Sequence, residues 1–154
     1  MSQPVPHMSI ATVADTSAPA CDLVRQWLRD HNWSANPAFM ELLQQPDQQA
    51  RPLNLLATAD DRVVGGLFAE TQLAWLRISI MSVDPECRSK GIGTSLLAEA
   101  ERQAITRGCK HAYVDTMDYQ APRFYLAHGF TVVGEIADWD SHGHSKLFLS
   151  KRLQ

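Results

Sequence analysis

Val83-Asp84-Pro85-Glu86-Cys87-Arg88-Ser89-Lys90-Gly91-Ile92-Gly93 is the stretch on which the reading of this fold turns. Residues 75–83, which lead into it, form a long, mostly apolar run of the kind that makes a strand. Pro85 stops that strand, because proline has no N–H to give to a ladder. Beyond the glycines, Leu96, Leu97, Ala100, Ala104 and Ile105 recur at helical spacing, with Glu99, Arg102, Gln103 and Arg107 on the opposite face. The spacing predicts an amphipathic helix over residues 94–107, ended by Gly108. A glycine loop between a strand and a helix is an anion site. Glycines leave no side chain between the amide N–H groups and a ligand, and the helix dipole adds positive potential. Arg88 and Lys90 add formal charge, and a pyrophosphate is the natural occupant. A third glycine at position 96 would make a dinucleotide fingerprint, but that residue is Leu96, and no GK[ST] Walker loop is present.

Outward from the loop, residues 53–58 and 62–69 are two apolar runs around Ala59-Asp60-Asp61. They read as a hairpin, with Gly65 and Gly66 marking a bulge. With residues 75–83 they form a meander. Residues 111–116 read as a buried strand, 121–128 as a short helix closed by Gly129, and 130–136 and 146–153 as the last strands. Nearer the N-terminus, residues 8–13 read as a short strand and 16–31 as a helix capped by Asp15 or Ser17. Residues 37–44 read as a second helix opened by Pro37. Residues 1–7 carry two prolines and read as a flexible tail, leaving 8–154 as one domain. The order is βααβββαβαββ: an α/β (α+β) fold with a single mixed, mostly antiparallel sheet flanked by helices. The unit from strand 75–83 through the helix to strand 111–116 is a right-handed parallel crossover.

The bulk properties exclude several functions. The 154 residues suit one domain, and a net charge of −3 gives no basic footprint for nucleic acid. The three cysteines, Cys21, Cys87 and Cys109, show no ligand spacing and read as free thiols. No apolar run is long enough to span a membrane, and the N-terminus has no basic region followed by an apolar one. The expected location is the cytoplasm.

The loop and the strand before it resemble the central motif of the GNAT superfamily of acyl-CoA-dependent N-acyltransferases, a strand ending in V-x-P followed by [QR]-x-x-G-x-[GA]. Downstream, Ala121-Pro122-Arg123-Phe124-Tyr125-Leu126-Ala127-His128-Gly129-Phe130 is similar to the family's A-x-x-F-Y-x-x-x-G-F segment. The resemblance covers residues 52–153 well, and the N-terminal helices by element order. It implies acetyl transfer from acetyl-CoA (coenzyme A as co-substrate, no metal) to an amine of a small molecule or peptide, by direct attack in a ternary complex. It also implies that the pantetheine lies between the two parallel strands, pairing with the backbone around Met81, Ser82 and Val83. An N–H near Val83 would then meet the thioester oxygen. Arg88, Ser89, Lys90, Gly91, Ile92, Gly93 and Thr94 would hold the pyrophosphate, and the Tyr125 phenol would protonate the leaving thiolate. The alternative for Tyr125 is aromatic packing beside Phe124 and Phe130.

Two positions depart from the family pattern. Asp118 stands where many relatives carry an asparagine that bonds the pantetheine, and Ser79 where many carry a glutamate base. Glu70, Asp115, Asp118 or a water chain remain as the base. His142 and His144 invite a metal, but no further ligand is nearby in sequence. Cys87 reads as incidental. Trp75 and Trp139 read as core or as lining of an acceptor pocket, which in this family is built from the N-terminal helices and the last hairpin. A homodimer would form on the apolar strand 147–149. The competing functions are a non-catalytic acyl-CoA sensor and a phosphate-binding protein outside the family.

Overall fold

The computed structural model describes residues 8–154, so the tail expected over residues 1–7 lies outside the described residues. The chain forms two compact units that divide between Gln45 and Pro46. The first holds α1 (Pro19–Ala35) and α2 (Pro37–Gln44), which contact each other. Neither Asp15 nor Ser17 caps α1, because the Asp15 carboxylate is occupied by the N–H and hydroxyl of Ser17. The helix opens at Pro19, whose missing N–H costs nothing in a first turn. Asn36 caps α2 by accepting the N–H of Phe39 at 3.2 Å. The strand expected over residues 8–13 does not form. An extended segment has its backbone groups satisfied only when a neighbour pairs with it, and none does here.

The second unit is a six-stranded sheet built from β1 (Arg51–Ala59), β2 (Arg62–Gln72), β3 (Trp75–Val83), β4 (His111–Met117), β5 (Thr131–Ile136) and β6 (Lys146–Arg152). Its order is β1-β2-β3-β4-β6-β5. Only β3 and β4 run parallel, and the other pairs are antiparallel. The β1–β2 turn is tight because Asp60 and Asp61 both adopt positive φ, 49° and 60°, as a primed hairpin turn needs. The expected irregularity near Gly65 is present, with Val64 as the extra residue between Val63 and Gly65. α3 (Ile92–Thr106) crosses over between β3 and β4, and α4 (Pro122–Ala127) precedes β5.

α3 lays Leu96, Leu97, Ala100 and Ala104 on the sheet, all at most 6% exposed. Ile105, assigned to that face from its spacing, is 42% exposed at the helix edge. The core continues through Leu53, Leu67, Leu76, Ile78, Val114 and Leu149. Strand β6 pairs with β4 on one side and β5 on the other, so residues 147–149 offer no free edge to a second copy.

Candidate active site

The parallel pairing between β3 and β4 runs from Trp75↔His111 to Ile78↔Val114 and then ends, although both strands continue. The break coincides with an extra residue: Phe68 pairs with Ile80 but Ala69 with Ile78, so Ser79 stands out of register. Such a bulge bends its strand and re-aims the residues beyond it. The Ser79 hydroxyl donates to the Phe68 carbonyl at 2.9 Å and is thereby committed to the bulge.

Beyond the break the strands part around a cleft of about 880 Å³. One wall is β3 from Ser79 to Val83, the other Val114, Asp115 and Thr116 of β4. The Asp84 N–H returns to the Val64 carbonyl on β2 at 2.9 Å. Backbone groups alternate sides along a strand, so those of Val83 and Met81 face the gap. At the end of the cleft lies the glycine loop of residues 88–93. Gly91 adopts φ 81°, a left-handed conformation that glycine takes without strain, and no side chain caps α3, which starts two residues earlier than expected. The amides of its first turn are therefore open. A Cβ at Gly93 would lie 3.3 Å from the Phe124 ring, so glycine is what keeps loop and α4 in contact. Arg88 turns back, its Nε donating to the Val83 carbonyl at 3.2 Å.

Of the residues expected to bind the cofactor, Met81, Ser82, Val83, Arg88, Ser89, Gly91, Ile92, Gly93 and Thr94 all line the cleft, as does Tyr125. Lys90 does not: its ammonium bonds the Glu86 carbonyl at 3.2 Å and borders a separate shallow hollow beside Leu55 and Glu99. Asp118 does not line the cleft either. Its carboxylate takes the Ser145 N–H and His144 Nδ1, each at 2.9 Å. The Ser145 N–H chiefly holds its pKa below the usual value. Asp118 thus ties the β5–β6 loop to the end of β4.

Tyr125 packs as the aromatic alternative expects, and it also lines the cleft. Its ring meets Phe124 and Phe130 edge-on at 5.4 and 5.5 Å, and the residue is 5% exposed. Burial pushes the phenol up to about 12, so it is a proton donor throughout the neutral range. Among the three carboxylates weighed as base, only Asp115 borders the cleft. It is paired with Lys146 at 2.8 Å and accepts the Tyr113 hydroxyl at 3.2 Å. Glu70 pairs with Arg77 at 3.8 Å. Among the described residues no group of three or more His, Cys, Asp or Glu could hold a metal ion. Trp75 stacks on His111, while Trp139 lies over the Lys146 ammonium at 4.7 Å. Cys87 borders the cleft, with Arg62 3.9 Å from its sulfur.

His128 touches the cleft residue Thr94, and no sequence motif signals it. It sits at an unspecified position of the A-x-x-F-Y-x-x-x-G-F segment. Its Nε2 lies 3.0 Å from the Thr94 hydroxyl and its Nδ1 2.7 Å from the Phe124 carbonyl.

An open first helical turn reached from parting parallel strands is the arrangement expected of acyl-CoA transferases, and comparison with known proteins agrees. The sequence model of the Acetyltransferase (GNAT) family matches residues 21–130, and the chain belongs to this family. It is 40% identical over 108 residues to an acetyltransferase of Agrobacterium fabrum, covering 70% of this chain and 78% of that one. It is 35% identical over 117 residues to the blasticidin-S acetyltransferase of Streptomyces morookaense, covering 73% and 86%. The crystal structure of an acetyltransferase from Bacillus cereus superposes with a TM-score of 0.71 at 27% identity, covering 96% of this chain and 97% of that one. An aminoglycoside 6'-N-acetyltransferase complexed with coenzyme A shares the fold, with a TM-score of 0.62 at 19% identity over 95% and 98% of the chains. Among the described residues no helix is long and apolar enough to cross a membrane.

Proposed function

We propose that this chain transfers the acetyl group of acetyl-CoA to a primary amine of a small molecule or peptide, by direct attack in a ternary complex. The observation that carries this reading is the gap between β3 and β4, with β3 backbone released from β4 on one wall, open helix amides at its end and the Tyr125 phenol on its lining. The residues present fit the cofactor. The amides of Ile92, Gly93 and Thr94, with Arg88, would hold the pyrophosphate, and Met81 and Val83 would pair with the pantetheine amides. Lys90 would add charge from beside the loop. The matched stretch crosses both compact units, which supports reading residues 8–154 as one catalytic domain.

Acetyl-CoA supplies an activated thioester carbonyl. The Val83 N–H donates to the carbonyl oxygen as charge develops there. Tyr125 gives its proton to the departing sulfur. Asp115 borders the same cleft and accepts the amine proton, directly or through water. The blasticidin-S acetyltransferase relationship supports a small-molecule amine as acceptor.

The test is incubation of the purified protein with acetyl-CoA and a panel of small amines and peptide amino termini, reading free thiol and the mass of the product. Thiol release that depends on an amine is the expected result. Tight coenzyme A binding with no turnover on any amine would instead make the chain a non-catalytic sensor, and failure to bind coenzyme A would refute the reading altogether.

A further inference from the structure

The contacts of His128 determine where its protons are. The Phe124 carbonyl can only accept, so the 2.7 Å contact places a hydrogen on Nδ1. In the neutral ring Nε2 is then a bare acceptor, and the Thr94 hydroxyl, 3.0 Å away, must donate to it. Thr94 lines the cleft in the open first turn of α3. With its one proton turned toward His128, it shows only lone pairs to whatever lies in the cleft. A phosphoryl oxygen is also acceptor-only, so the two would repel. A second ring proton reverses the chain: Nε2–H donates to the Thr94 oxygen, and the freed hydroxyl proton donates to the phosphate.

We propose that His128 is a positioning residue that sets the direction of the Thr94 hydroxyl, so that the diphosphate of coenzyme A is taken up together with one proton from solvent. This rests on the acetyl-CoA reading above. The relay runs from the Phe124 carbonyl through the His128 ring to the Thr94 hydroxyl. On the helix of His128 the charged residue is Arg123, which is exposed. From β6, Lys151 approaches Gly129, but its ammonium is bound to both carboxylate oxygens of Glu101 on α3 at 2.8 Å. From the loop, Arg88 is turned onto the Val83 carbonyl at 3.2 Å. The Phe124 ring, 4.2 Å from the imidazole centroid, holds it in place between the two partners.

The experiment is calorimetry of coenzyme A binding between about pH 5.5 and pH 8.5 in wild type, Thr94→Val and Thr94→Ser. The 3′-phosphate of coenzyme A also titrates in this range, but equally in all three proteins. On going from about pH 8 to about pH 6, wild type and Thr94→Ser should gain about tenfold more affinity than Thr94→Val. The His128 ring resonance, assigned with His128→Asn, should titrate at higher pH with coenzyme A bound than without. Parallel pH curves for wild type and Thr94→Val, or a His128 midpoint that ligand does not move, would overturn the inference while leaving the acetyl-CoA reading standing. Absence of coenzyme A binding at every pH would overturn both.

Discussion

Tyr125→Phe separates chemistry from structure more cleanly than any other change in this protein. The hydroxyl is removed, while the ring keeps its edge-on contacts with Phe124 and Phe130. Among the described residues no group hydrogen-bonds that hydroxyl, so its loss leaves no partner unsatisfied and the melting temperature near neutral pH should hardly change. The phenol ionises near 12 in place of 10. That shift corresponds to about 3 kcal/mol against the phenolate, so a donatable proton is present at every pH where the enzyme would work. If that proton goes to the leaving sulfur, kcat should fall by about a hundredfold or more, with the KM for acetyl-CoA changed by no more than about threefold. A thiol-trapping assay on the best amine of the panel reads both. The raised value has its own signature. The native state holds its proton between pH 10 and pH 12 while the unfolded chain loses it. Stability should therefore fall with rising pH across that window in wild type, and less steeply in Tyr125→Phe. Unchanged kcat in a folded variant would remove Tyr125 from the mechanism, and matching alkaline melts would show that its environment is not the one described.

Three further changes test the frame around the site. Gly91→Asp adds a side chain where no atom lies within 4 Å, at a φ of 81°. It should cost only about 1 kcal/mol in a denaturant melt yet weaken coenzyme A binding by about a hundredfold or more, by setting a carboxylate among phosphates. In Gly65→Ala the new methyl would stand 3.1 Å from Ile92 and 3.2 Å from the Ser82 carbonyl. It should destabilise by about 1–3 kcal/mol and loosen the start of α3, seen as lost amide protection there. Asp118→Asn removes the charge that accepts from Ser145 and His144. At neutral pH the β5–β6 loop should become more open to protease. Because the Asp118 pKa lies below its ordinary 3.8, the difference from wild type should persist down to that pH and vanish only as the native carboxyl protonates.

The elements that could be read in the sequence are those whose pattern and stabilisation are local. Gly91, Gly93 and the face of Leu96, Leu97, Ala100 and Ala104 announce the glycine loop and α3, because caps and helical periodicity are properties of neighbours in sequence. Residues 8–13 carry strand-like alternation, but a strand depends on a distant partner, which the sequence does not display. The same limit explains residues 147–149, whose apolar pattern is that of an interior strand here and could equally be that of an edge. The coordination of Asp118 by His144 and Ser145 joins positions more than 25 residues apart. His128 was invisible for a related reason: its meaning lies in a contact with Thr94, 34 positions away.

The extra residue at Ser79 also changes what the strand is made of. Before it, Leu76 and Ile78 turn into the core; after it, Met81 packs against the core, so the inward positions pass from even to odd numbers. One chain can thus keep its ladder with β2 on one edge while withholding the other edge from β4. If the proposed pantetheine pairs there, recognition at this wall would depend on the number and spacing of peptide groups, and hardly on the side chains that carry them. Drift in residue type along 79–83 would be tolerated far better than the gain or loss of a single position, since a one-residue slip would exchange the groups facing the ligand with those facing β2.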